Sequence, residues 1–238
     1  MVHSQTDTVW HQGAPSVQVL SRQPALSKRG PERISVLMPN RFSLFSHRTD
    51  VQSIAEMNYC SHCGHHPVSR IIPPGDTRER FVCAQCGTIH YQNPRNVGGT
   101  IPVWQDQVLL CRRAIEPRRG FWTLPAGFME IGETTAECAI RETLEEAGAR
   151  VEITSLFSLL NVPHVEQVHF FYLAKLLDAD VLAGEESLEV RFFSEEDIPW
   201  KDIAFPTVTH TLRFYFADRQ TGQFSLHTED ILRPMQAD

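Results

Sequence analysis

GFMEIGETTAECAIRETLEEAG, residues 127–148, crowds six acidic side chains and one arginine into a single short stretch. Its second half has helical spacing. On a wheel advancing about 100° per residue over 134–147, Glu142, Glu145 and Glu146 share one narrow arc. Ala136, Ala139, Ile140, Thr143, Leu144 and Ala147 form a separate apolar arc that can bury against a sheet. The expectation is a helix with carboxylates outward on one side and packing on the other, capped by Thr134 or Thr135 and stopped at Gly148. A solvated acidic face is the general reading of a charge run. Here like charges at i,i+4 repel at a cost of a few tenths of a kcal/mol per pair, and Arg141 is the only base among them. Such a cluster asks for a cation, and hard oxygen ligands suit Mg²⁺ or Mn²⁺, with substrate phosphates completing the shell.

Working outward, the 238 residues are enough for one medium domain plus a small one, and 42% hydrophobic content supplies a core. A net charge of -7 gives no overall attraction to nucleic acid, so a polyanionic substrate must be handled locally by metal and a few arginines. No apolar run reaches the length of a membrane span, and the N-terminus lacks the apolar core of a secretory signal. A cytoplasmic enzyme is expected.

Three segments are expected: 1–56, 57–92 and 93–238. The first is rich in Ser, Pro, Gln and Arg without periodicity, and little stable structure is expected of it. Its basic residues permit an organelle-targeting reading, weakened by its acids, and Met57 is an alternative start. In the second, Cys60, Cys63, Cys83 and Cys86 form two Cys-x-x-Cys pairs, each followed by glycine, which reads as two knuckles of a zinc ribbon. Four thiolates close a tetrahedral shell, so this zinc is structural, and it supplies the folding free energy that so short a segment lacks. His62, His65, His66 and His90 are read as solvent-facing, while Cys111 and Cys138 are read as packing residues.

Strands are expected at 97–104 and 108–113 around a Gln105-Asp106-Gln107 hairpin connection, and at 151–162, 168–177 and 188–193. Loops are expected at 116–120 and 178–187, and a second helix from Pro206 or Thr207 to Asp218, ending near Gly222.

Gly127, Glu133, Arg141, Glu142, Glu145, Glu146 and Gly148 stand at the spacing of the Nudix box, which the stretch resembles. Thr143 and Ala149 occupy positions that are aliphatic in that pattern, and Pro125-Ala126-Gly127 replaces a common double glycine. The resemblance implies an α+β fold, an α/β/α sandwich with a mixed sheet, preceded here by the small zinc ribbon. It also implies hydrolysis of a nucleoside diphosphate linked to another moiety. By carry-over, Glu142, Glu145 and Glu146, with the Gly127 carbonyl, would hold Mg²⁺ or Mn²⁺, and Glu133 would assist. Arg141 would orient the carboxylates by ion pairs, with Glu137 and Glu145 one turn away on either side.

The resemblance implies a general base drawn from the box or from a later loop, and the loop here offers Glu185, Glu186 and Glu189, with Glu186 preferred. Arg112, Arg113, Arg118 and Arg119 are candidates for substrate phosphates, only one of the first two being able to face the cleft. Phe121 or Trp122 could stack on a base, although core packing suits both. The Tyr91-Gln92-Asn93-Pro94 linker, the run 115–127 and Glu186-Ser187-Leu188-Glu189 are similar to ribbon-bearing FAD and ADP-ribose diphosphatases, including plastid enzymes of plants. The run that marks NADH diphosphatases is absent after the box, where Phe157-Ser158-Leu159-Leu160-Asn161-Val162-Pro163 stands instead. This ranks FAD or ADP-ribose first, with release of AMP, and NADH next. A non-catalytic Nudix ligand sensor is the reading of another class. A homodimer is compatible with the sequence.

Overall fold

The computed structural model describes residues 57–232. The readings of 1–56, including the alternative start, concern residues outside that range.

Three short strands, β1 (Ser69–Ile71), β2 (Arg80–Val82) and β3 (Ile89–His90), make an antiparallel sheet in that order. Two turns of matching geometry accompany it, one before β1 and one between β2 and β3. Gly64 N–H donates to the Cys60 carbonyl at 2.8 Å and Gly87 N–H to that of Cys83 at 2.9 Å, both glycines having positive φ, 73° and 72°. The left-handed turn is open to glycine because it has no Cβ to clash. Cys60, Val68, Phe81 and Cys83 form a small buried cluster, which Met57 packs against.

The main body runs β4 (Arg95–Trp104), β5 (Gln107–Arg113), β6 (Trp122–Thr123), β7 (Ala126–Phe128), α1 (Thr135–Ala147), β8 (Val151–Val162), β9 (Gln167–Leu176), β10 (Ser187–Phe193), α2 (Pro206–Thr221) and β11 (His227–Asp230). Its sheet order is β10-β5-β4-β9-β8-β11, with β6 on β5 and β7 on β4. The sheet is mixed: β4–β9 and β8–β11 are parallel, and the other pairs are antiparallel. Gln107, expected in the hairpin loop, is the first residue of β5, and a two-residue turn with Gln105 at φ 56° suffices.

Strand alternation divides the core between the helices. Val108 and Leu110 of β5 and Phe171 and Leu173 of β9 face α2, packing with Val208, Leu212, Tyr215 and Phe216. Leu109 and Cys111 of β5 and Ala174 and Leu176 of β9 point the other way, toward Ala147 of α1. The result is the α/β/α sandwich with a mixed sheet.

The edge strand β11, parallel to β8, has no counterpart in the sequence reading. Four residues, His-Thr-Glu-Asp, carry no apolar alternation, and only their pairing makes them a strand.

Candidate active site

α1 begins with a capping box. Thr134 Oγ1 accepts from Glu137 N–H at 3.2 Å, and Glu137 returns a carboxylate to Thr134 N–H at 2.8 Å. Gly148 closes the helix in the left-handed conformation. The helix is rotated relative to the expected wheel. Ile140 and Leu144 are 39% and 51% exposed, whereas Cys138 and Glu146 are 0% and 8% exposed. The expectation of outward carboxylates is therefore corrected for Glu146 and in part for Glu142: both lean toward β7, and only Glu145 is well exposed. The reason lies in β4 and β7. Gly98 leaves room for the Cys138 thiol, and a Cβ at Gly127 would run into the Glu142 carboxylate. Glu146 accepts from Ala126 N–H at 3.1 Å, a backbone donor that rewards an inward carboxylate.

Two of the three departures from the box, Thr143 and Ala126, are matched elsewhere. Thr143 is fully buried, shares a 2.6 Å hydrogen bond with Thr100 of β4 and donates to the Ala139 carbonyl at 2.6 Å, so a hydroxyl stands in an aliphatic place at no unsatisfied cost. The methyl of Ala126 fits because it faces Gly99.

Arg141 organises the cluster. It donates to Glu133 at 2.6 and 3.0 Å, to Glu142 at 2.6 Å, to Glu145 at 3.0 Å and to the Phe128 carbonyl at 3.1 Å. The orienting ion pair is present, but its upstream partner is Glu133; Glu137 is occupied by the cap. Hydrogen bonds from Arg141 and the Glu130 N–H draw the Glu133 carboxyl down to about 2. Burial drives Glu142 upward against the pull of Arg141. Burial also drives Glu146 to about 8, with the like charges of Glu142 and Glu186 adding to it and the Ala126 hydrogen bond opposing.

A cavity of about 740 Å³ is lined by Gly127, Glu142, Glu145 and Glu146 on one side and by Glu185 and Glu186 on another. The loop carrying the last two is docked on the end of α1: Leu182 N–H donates to the Ala147 carbonyl at 2.9 Å and Gly184 N–H to that of Glu146 at 3.0 Å. Ala114 N–H holds the Glu186 carbonyl at 2.7 Å. Glu189 lies outside this cavity and pairs with Arg112 at 3.7 Å. Of the two adjacent arginines, Arg113 lines the cavity; Arg112 points away, donating to the Gly120 carbonyl at 3.0 Å. Arg118 sits 5.5 Å over the Phe121 ring, and none of Arg118, Arg119 and Phe121 lines the cavity. Trp122 is core, edge-on to Phe193. Cys111 and Cys138 are both buried, as expected of packing residues.

The ribbon offers a second ligand set. Sγ atoms of Cys60, Cys63, Cys83 and Cys86 lie within 4.8 Å of one another. Cys60–Cys86 and Cys63–Cys83 separations are 3.7 and 3.6 Å, far longer than a disulfide. A tetrahedron with Zn–S bonds of about 2.3 Å has S···S edges of ~3.8 Å, so the geometry fits zinc. Thr88 Oγ1 stands 3.1 Å from Cys86 Sγ. His90 is only half-buried, yet its Nε2 is enclosed, which corrects its reading as solvent-facing.

A two-helix sandwich whose box helix turns a carboxylate cluster into a cavity, fused to a four-cysteine ribbon, defines a class of phosphate-processing protein. The chain belongs to the Nudix family: residues 94–221 match the NUDIX domain, and residues 58–92 match the Nudix N-terminal domain, a zinc ribbon. It is similar to a solved Nudix hydrolase from Nitrosomonas europaea, at 52% identity and TM-score 0.72, covering 74% of this chain and 100% of that one. The NAD-capped RNA hydrolase NudC of Shigella flexneri is 26% identical over 144 residues, 59% of this chain and 53% of the relative. The chain thus spans about half the length of that curated relative. A UDP-X diphosphatase, 20% identical with TM-score 0.50 over 58% of this chain and 68% of its own, shares the fold. Among the described residues no helix is long and apolar enough to cross a membrane.

Proposed function

We propose that the chain hydrolyses the diphosphate bond of a nucleoside diphosphate linked to another moiety, with FAD or ADP-ribose as substrate and AMP as one product. The observation that carries this is the convergence of Glu142, Glu145, Glu146 and Gly127 on one cavity faced by Glu185 and Glu186. These residues fit a hard divalent cation. The Gly127 carbonyl lies on the α1 side, 3.7 Å from the Cys138 thiol, and Glu142, Glu145 and Glu146 bring carboxylate oxygens to the same cavity. Bound there, Mg²⁺ or Mn²⁺ would neutralise diphosphate charge and make water more acidic.

The chain's own residues do the rest. Arg141 holds Glu142 and Glu145 in place, and Glu133, gripped by Arg141, fixes that guanidinium in turn. Glu146 keeps one oxygen on Ala126 N–H and leaves the other for a ligand. Glu186, across the cavity, accepts the proton given up as water attacks phosphorus. Arg113 lies on the cavity rim to meet phosphate, and the four ribbon cysteines hold structural zinc.

The preference for FAD or ADP-ribose rests on the similarity of the linker, the run 115–127 and the Glu186 segment to such enzymes. A nicotinamide dinucleotide is the second reading, favoured by the similarity to a NAD-capped RNA hydrolase. Against RNA itself, Arg70 and Arg80 in the groove beside the ribbon are already paired with Glu79 and Asp76. A sensor is disfavoured because Glu142, Glu145 and Glu146 are all retained and line one cavity.

The test is AMP release from FAD, ADP-ribose, NADH and NAD, and release of nicotinamide mononucleotide from a NAD-capped oligonucleotide, with Mg²⁺ or Mn²⁺. FAD or ADP-ribose should turn over fastest, and Glu142→Gln or Glu146→Gln should lose about 10²-fold or more. Absence of metal-dependent turnover on every member would overturn the reading.

A further inference from the structure

Thr143 stands on the box helix between the two carboxylates that turn inward, with Glu142 beside it and Glu146 three residues on. Its hydroxyl lies 2.6 Å from that of Thr100 on β4, and both residues are 0% exposed. The direction of this pair follows from its surroundings. The Ala139 carbonyl, 2.6 Å from Thr143 Oγ1, can only accept, so the Thr143 proton points there. Thr143 Oγ1 therefore accepts from Thr100, and it is the one partner of that hydroxyl among the described residues.

Apolar burial alone would turn the helix differently. Ile140 and Leu144 are exposed, while Thr143 is buried. On a wheel of 3.6 residues per turn, Ile140 and Leu144 lie about 60° and 100° to one side of Thr143, and Glu146 and Glu142 about 60° and 100° to the other. A rotation that buried the two apolar side chains would carry both carboxylates away from the cavity. It would also leave the Thr100 hydroxyl in the core without a partner, and a buried hydroxyl without a hydrogen bond is costly. Thr100 reaches the other wall of the site as well. Its N–H donates to the Pro125 carbonyl at 3.1 Å, and the N–H of the next residue, Ala126, holds Glu146 at 3.1 Å. Thr100 thus joins the helix that carries the carboxylates to the segment that receives them. A second hydroxyl pair, Thr135 with Tyr172 at 2.6 Å, tethers the start of α1, but it is only part-buried, so water can take its place.

We infer that Thr100 is a positioning residue for the carboxylate site: through Thr143 it fixes the rotation of α1 about its own axis, so that Glu142 and Glu146 face the cavity while Ile140 and Leu144 stay outside. The inference rests on the reading of these carboxylates as ligands of a divalent cation.

Thr100→Val keeps the shape of the side chain and removes the donor. Mn²⁺ affinity of the full chain, read from the electron paramagnetic resonance signal of the free ion, should fall by about tenfold. Hydrogen exchange of the Ala126 N–H, measured without metal, should quicken, and Thr100→Ser should hold both readings at wild-type values. The double variant Thr100→Val with Thr143→Val separates position from stability. With both hydroxyls gone, neither Thr100 nor Thr143 leaves a buried polar atom unpaired, so its melting temperature should recover relative to the single variants, while Mn²⁺ affinity stays low. It also decides where a single variant does not fold, with circular dichroism as the check. Mn²⁺ affinity within twofold of wild type in the folded double variant, or affinity that recovers in step with melting temperature, would overturn the inference. A wild-type chain that binds no Mn²⁺ would sink the cation reading, and wild-type Ala126 exchange in Thr100→Val would then sink the positioning role too. The expected Mn²⁺ pattern with no turnover on any diphosphate would remove the diphosphatase reading alone.

Discussion

Glu146 is 8% exposed, takes one backbone hydrogen bond and faces the like charges of Glu142 and Glu186. Its carboxyl, raised by burial from 4.5 to about 8, links site chemistry to stability. As pH rises above 4.5 the unfolded chain ionises this group, while the folded metal-free chain keeps it protonated up to about 8. The unfolded state then binds fewer protons, so this contribution to stability is full below the unfolded value and is lost as pH rises through the folded one. A divalent cation favours the ionised form. Its binding should release protons below about pH 8, and its affinity should rise with pH to that point and then level. Calorimetry in two buffers of different protonation enthalpy reads both effects; no proton release would show Glu146 already ionised or not a ligand. Gly127→Ala is the matching steric test. With a Cβ aimed at the Glu142 carboxylate, it should lower turnover by about 10- to 100-fold, as expected when a ligand is misplaced, while melting shifts little. These residues were readable as a set from their spacing, but the inward turn of two of the three carboxylates was not. It depends on Gly98 and the Ala126 N–H, which lie outside the helix.

At the scale of elements, the capping box explains why α1 starts where it does. Thr134→Ala removes the side-chain acceptor and should cost about 1 kcal/mol, seen as a lower melting temperature. The first helix was legible from its helical spacing, and the second helix and the long strands β4, β5, β8, β9 and β10 as long apolar or β-rich runs bounded by turn signals. The two- to four-residue strands β1, β2, β3, β6, β7 and β11 were not, since so few residues hold no period and their partners are distant in sequence. The loop 178–186 is the element on which mechanism turns. Its hydrogen bonds to the end of α1 bring Glu185 and Glu186 into the cavity and leave Glu189 on β10, paired with Arg112. Glu186→Gln should therefore cut kcat and remove the acid limb of its pH profile, whereas Glu189→Gln should leave both unchanged. Equal behaviour of the two variants would place the general base elsewhere.

For the molecule as a whole, the ribbon and the main body are held together by different means. The ribbon's core cluster is Cys60, Val68, Phe81 and Cys83, too little to fold without a metal, while the main body has its own layered core. Stripping zinc with a chelator should release one zinc per chain and expose residues 57–92 to proteolysis, with 93–232 remaining protected; loss of protection throughout would show that the two parts fold as one. The sequence by itself determined the ligand types, the cysteine and carboxylate spacing, the long elements and the family, because these are set by residue identity at short separations. Only the tertiary structure decided which of Arg112 and Arg113 faces the site and which loop glutamates reach it. Those juxtapositions arise where β10 pairs with β5 and where the loop 178–186 docks on the end of α1. They join residues tens of positions apart in sequence, and their geometry follows from packing and strand register, which no local period encodes.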